Sequence, residues 1–202
     1  MGNELDCTVR AGKQSGSGRA LLETNEILFR GEFRLKIPLA SIKSVNAVDG
    51  ELRIESAEGL TIFVLGPAAE KWCEKILHPK TRLEKLGVKA GAAAVIAGSF
   101  DAEFLRELKG QTRNITKGRP GAEAEGIFFA AGSRGELANV AKLAKTMKGA
   151  AALWIVYPKG QQTITENDVL AAGRKAGLKD VKVVGFSATH TALKFVIPVD
   201  RR

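Results

Sequence analysis

Between residues 4 and 66 apolar positions come in short runs that alternate with polar ones, the period-two signature of half-buried strands. Phe33, Leu35 and Ile37 alternate with Arg34 and Lys36, so one face is apolar and the other basic. Turn signals break the runs at Thr24-Asn25, Gly31-Glu32 and Glu58-Gly59. Val48-Asp49-Gly50-Glu51 predicts a hairpin, because Asp-Gly accepts the positive φ values of a type I′ turn. Leu60 to Leu65 is the most apolar strand of this half. The period then changes. Ala69, Trp72, Cys73, Ile76 and Leu77 fall at helical spacing behind Pro67, with Glu70, Lys71, Glu74 and Lys75 opposite. Pro79 predicts a helix end at His78.

From residue 80 onward strand-like and helical runs alternate, which predicts a layered α/β sheet. Buried strands are expected at Ala93-Ala97, Ile127-Ala131 and Leu153-Tyr157, and a closing hairpin from Val181-Phe186 and Leu193-Ile197. Helices are expected over Asp101 to Lys109, after Ser133-Arg134-Gly135-Glu136, and after Thr165-Glu166-Asn167-Asp168. The Ser133 phrase reads as a capping box in which Ser133 accepts from the Glu136 backbone N–H, and the Thr165 phrase as another cap. Gln111 to Ile115 reads as a short strand, Thr116 to Gly121 as a Gly/Pro loop, and Ser15-Gly16-Ser17-Gly18 as a flexible loop. Residues 79 to 91, punctuated by Gly87 and Gly91, read as a linker. The pattern therefore predicts two domains, a β domain at residues 1–79 and an α/β domain at residues 80–202.

About seven strands closed by one helix look like the pleckstrin-homology-like (PH-like) β-barrel. Leu21-Leu22-Glu23, Leu28-Phe29-Arg30-Gly31 and Ala69-Glu70-Lys71-Trp72 resemble bacterial PH-like domains fused to a second domain. The second half resembles the Rossmann-like fold of S-adenosylmethionine-dependent methyltransferases, a mostly parallel sheet ending in an antiparallel hairpin. Lys85-Leu86-Gly87-Val88-Lys89-Ala90-Gly91, Ala152-Leu153-Trp154, Tyr157-Pro158-Lys159 and Gly177-Leu178-Lys179-Asp180-Val181-Lys182-Val183 look like a bacterial domain family of unknown function. That resemblance implies a degenerate, methyltransferase-like domain and no established activity. For the first half it implies a protein-interaction module.

Composition narrows the function classes. Of 202 residues 45% are hydrophobic and 26% charged, which excludes wholesale disorder. Residues 1–80 hold 11 Lys plus Arg and 11 Asp plus Glu, so the net charge of +9 belongs wholly to residues 81–202. That asymmetry directs any anion to the second half and argues against phosphoinositide binding by Arg10, Lys13 and Arg19 in the first. Aromatic residues make up only 6% and most occupy core positions, which speaks against nucleic-acid recognition by stacking. Two cysteines and two histidines leave little room for a disulfide framework or a dedicated Cys/His metal site. The polar, acidic Met1–Asp6 lacks the layout of a secretory signal, and no apolar run approaches the length of a membrane span. The expectation is a cytoplasmic protein with reduced thiols.

Ligands of open α/β sheets bind beyond the carboxyl ends of the parallel strands. That edge should collect Gly98, Ser99, Asp101, Gly132, Ser133, Arg134, Lys159, Gly160 and His190. Helix starts at Ser99, Ser133 and Thr165 would offer backbone N–H groups to a small anion, with Arg134 and Lys159 adding positive charge. Methyltransferases use a Gly-rich turn after the first strand and a carboxylate at the end of the second. Here the turn is Ala97-Gly98-Ser99-Phe100-Asp101, and the second strand ends in Asn114-Ile115-Thr116-Lys117. No catalytic residue and no metal ligand is assigned. The expectation is thus a noncatalytic binding or scaffolding protein, with a small anionic ligand and a protein partner, and without a cofactor, S-adenosylmethionine included. The alternatives are a methyltransferase-like enzyme and a nonspecific nucleic-acid binder.

Overall fold

The computed structural model describes residues 3–118 and 124–201. The chain forms two compact units, Met1–Lys80 and Thr81–Arg202.

The first unit is one curled antiparallel sheet of seven strands: β1 (Asn3–Ala11), β2 (Gln14–Leu22), β3 (Glu26–Gly31), β4 (Arg34–Pro38), β5 (Ile42–Val48), β6 (Glu51–Ser56) and β7 (Gly59–Val64). Their order is β4-β3-β2-β1-β7-β6-β5, so two meanders join where the second half of β1 pairs with β7. The β5–β6 turn carries positive φ at Asp49 (52°) and Gly50 (78°), as an Asp-Gly hairpin requires. The Ser-Gly phrase expected as a loop is part of β2. Gly18 pairs with Gly31 of β3, and a Cβ on Gly18 would stand 2.5 Å from the Gly31 Cα. Two facing glycines let the two backbones approach closely here. Helix α1 (Ala68–Leu77) follows, burying Ala69, Trp72 and Cys73 with Val9, Phe29, Leu52 and Phe63.

The second unit is a six-stranded mixed sheet. Its strands are β8 (Ala94–Ala97), β9 (Ile115–Lys117), β10 (Gly126–Ala130), β11 (Ala152–Pro158), β12 (Lys179–Gly185) and β13 (His190–Val196), in the order β12-β13-β11-β10-β8-β9. Strands β9, β8, β10 and β11 are parallel; β13 runs antiparallel between β11 and β12. Every residue of β11 but its last is buried, as expected for a strand covered on both faces. Leu153, Ile155 and Tyr157 pack with Val140, Leu143 and Val169 from α4 (Asn139–Ala144) and α5 (Glu166–Lys175). Trp154 and Val156 pack with Leu83, Leu86, Phe104 and Leu108 from α2 (Arg82–Leu86) and α3 (Ala102–Gln111).

Helix α2 lies within the stretch expected to be a linker. Thr81 and Glu84 form a capping box, and Gly87 closes the helix in the left-handed conformation. Leu83 and Leu86 then anchor this segment in the second core. Helix α3 runs to Gln111, so the next strand begins at Ile115 and not at residue 111. Thr116 and Lys117 belong to that strand, and residues 119–121 of the expected Gly/Pro loop lie outside the described residues.

Candidate ligand cleft at the carboxyl edge of the parallel strands

From β8 the chain crosses to β9 on one side, then returns to β10 on the other. This reversal is a topological switch point, where the connections leave in opposite directions and open a crevice between β8 and β10. A cleft of about 1010 Å³ lies there. Gly98, Ser99, Asp101, Gly132, Lys159 and His190 line it; Ser133, Arg134 and Gly160 do not. Its lining also takes in Arg82, Phe100, Glu136 and Phe186, which sequence reasoning did not assign to a site.

Gly98 is required by the fold, whatever the cleft holds. Its φ is 90°, and a Cβ there would stand 2.7 Å from the Ala130 carbonyl oxygen of the neighbouring strand. Asp101 caps α3, its Oδ1 accepting from the Phe104 N–H at 2.7 Å. Its other oxygen lies 3.5 Å from the Arg82 guanidinium. Arg82 donates two bonds of 2.9 Å to Glu107 and stands over the rings of Phe104 and Phe186, at 5.4 and 5.0 Å from their centroids. Burial works against its charge, but Glu107, Asp101 and Glu103 outweigh that and hold the guanidinium above its ordinary pKa. Phe100 packs on Phe104 and Phe186, completing an apolar wall.

On the other side the cap is the reverse of the one expected. The Glu136 carboxylate folds back to accept from the N–H groups of Gly132 and Ser133, at 2.5 and 3.2 Å, while the Ser133 side chain caps nothing. Arg134 turns to Asp168 at 2.9 Å. Asp168 also accepts from the Thr165 N–H and hydroxyl, and these Thr165 bonds, with Arg134, hold its carboxyl down at about 2. The helix starts expected to receive an anion are therefore capped by the chain's own Asp101, Glu136, Thr165 and Asp168. The acidic residue four places after Gly132 was the available signal for this arrangement.

The last wall is the turn between β12 and β13. Ser187 Oγ accepts from the His190 N–H at 3.0 Å and from the Thr189 N–H at 3.3 Å. Lys159 pins the turn by donating from its backbone to Thr189 and from its ammonium to the Ser187 carbonyl, both at 2.8 Å. Thr189 Oγ1 lies 2.9 Å from His190 Nδ1 and so orients the imidazole. Gly160 forms the adjacent turn with φ 65°. Cys73 is buried on α1 and Cys7 half-buried on β1, and burial raises both thiols, which makes neither a ready nucleophile. No helix among the described residues is long and apolar enough to cross a membrane.

No protein-family model matches the chain, and no curated protein matches its sequence. Solved structures do match. An S-adenosylmethionine-dependent methyltransferase from Aquifex aeolicus is 17% identical, over 57% of this chain and 87% of that one, with a TM-score of 0.41. Magnesium protoporphyrin IX methyltransferase from Synechocystis, solved with bound S-adenosylmethionine, is 13% identical over 57% and 74%, with a TM-score of 0.39. A TehB-like S-adenosylmethionine-dependent methyltransferase from Corynebacterium glutamicum is 12% identical over 64% and 95%, also at 0.39. These three solved structures are thus named as methyltransferases that depend on or bind S-adenosylmethionine, against the expectation drawn from the sequence of a noncatalytic scaffold without a cofactor.

Proposed function

We propose that residues 80–202 form a Rossmann-like, methyltransferase-like domain whose cleft takes S-adenosylmethionine beside a small second substrate. The observation that carries this reading is the cleft itself, about 1010 Å³ at the switch point of the mixed sheet. Its size exceeds what one small anion needs, and its Phe100 and Phe186 wall offers an apolar surface to a purine. The carboxylate expected at the end of β9 is replaced by Lys117, so the carboxylates that line the cleft, Asp101, Glu103 and Glu136, are the ones that would hold ribose hydroxyls. When bound, the cofactor supplies a methyl group activated by a sulfonium. What the chain supplies is a cleft walled by rings and a turn whose backbone is already braced by Lys159.

The first unit, proposed as residues 1–79, fits a PH-like domain, supported by seven antiparallel strands followed by one helix packed on β5 and β6. Calorimetric titration of the full chain with S-adenosylmethionine tests the cleft. Saturable one-to-one binding is expected, and Gly132→Phe, at an exposed lining position without positive φ, should remove it. Absence of binding to the folded wild-type chain would overturn the reading.

A further inference from the structure

A second cavity, of about 470 Å³, lies at the opposite edge of the same sheet, where the parallel strands β8, β10 and β11 begin. Small side chains such as Ala92, Ala94 and Ala152 leave the hollow, and Phe128 and the buried Trp154 wall it. Three lysines line it, Lys89, Lys148 and Lys194, against one carboxylate, Glu125. The Lys194 ammonium stands 5.7 Å from the Trp154 ring centroid. Lys89 and Lys148 make no ion pair among the described residues. Among the described residues the lining therefore combines an apolar body with more lysines than carboxylates.

The backbone narrows the ligand further. The N–H groups of Ala94, Gly126 and Ala152 already donate to the carbonyls of Asn114, Ala93 and Glu125. These three strand-start amides are taken and offer nothing to a phosphate group. What remains is an apolar surface with lysine ammoniums at its border, which suits a single carboxylate carried on an apolar body. We propose that this cavity is a binding site for a small apolar monocarboxylate, independent of the cleft at the carboxyl edge.

The probes are naphthoate and octanoate, titrated into the full chain and followed by calorimetry. Saturable one-to-one binding of at least one acid is expected, with the corresponding neutral alcohol weaker by roughly tenfold or more, the scale of one charge-assisted contact. The double variant Lys89→Ala/Lys148→Ala should weaken the acid by a similar factor. Ala150→Trp, which fills the mouth from an exposed position, should abolish binding while leaving the circular dichroism spectrum unchanged. The proposal is overturned by no saturable binding of either acid. Equal affinity for acid and alcohol, or binding undiminished in both variants, overturns it as well. S-Adenosylmethionine binding is read separately and does not enter the outcome.

Discussion

Single residues fix more of this molecule than the hydrophobic pattern reveals. Gly173 lies on α5 against Phe195, and a Cβ there would stand 2.0 Å from the ring of a fully buried side chain. Alanine improves helix propensity by roughly 1 kcal/mol. Overpacking a rigid core nevertheless costs about 1–3 kcal/mol. Gly173→Ala is therefore expected to lower stability in urea denaturation; a variant as stable as wild type would show that Phe195 yields freely. Glu136 and Arg82 teach a different lesson. The acidic residue after Ser133 was visible as a helix signal, but its direction was not, because a carboxylate can reach back to the two preceding N–H groups. Arg82 looked like a linker residue, since neither its carboxylate partners nor the rings of Phe104 and Phe186 are near it in sequence.

At the scale of elements, local chemistry was legible wherever it was self-contained. The Asp49-Gly50 turn, the apolar stripe of α1 and the Thr165 capping box each depend on neighbours in sequence. Helix α2 escaped notice because five residues give no periodicity, and its real support is the tertiary burial of Leu83 and Leu86. The Asp168 junction ties the loop after β10 to the start of α5 through Arg134 and Thr165. Its carboxyl sits at about 2, below the ordinary value of 3.8, so the folded state favours the ionised form. The resulting stabilisation is present above the ordinary value and is lost as pH falls through about 2. Thermal melts should show Asp168→Asn less stable than wild type near neutral pH, with the gap closing below about pH 4 as the wild-type carboxylate is protonated. A gap that widened in acid would contradict the assignment.

For the whole molecule, the sequence pattern disclosed two sheets of different kinds. It did not disclose which loop residues face the cleft. Ser133, Arg134 and Gly160 share the carboxyl edge by position but not by lining; Arg134 turns instead to Asp168. The basic excess of residues 81–202 is likewise divided, with Lys159 and Arg82 internally engaged at one end of the sheet and three lysines around the smaller cavity at the other. The two proposals therefore assign different ligands to the two ends. Amide chemical-shift mapping on the full chain with S-adenosylhomocysteine separates them most directly. Saturable shifts centred on Gly98, Gly132, Phe186 and His190 are the predicted result; no shifts, or shifts confined to Ala92, Gly126 and Ala152, would contradict an adenosyl site in the cleft.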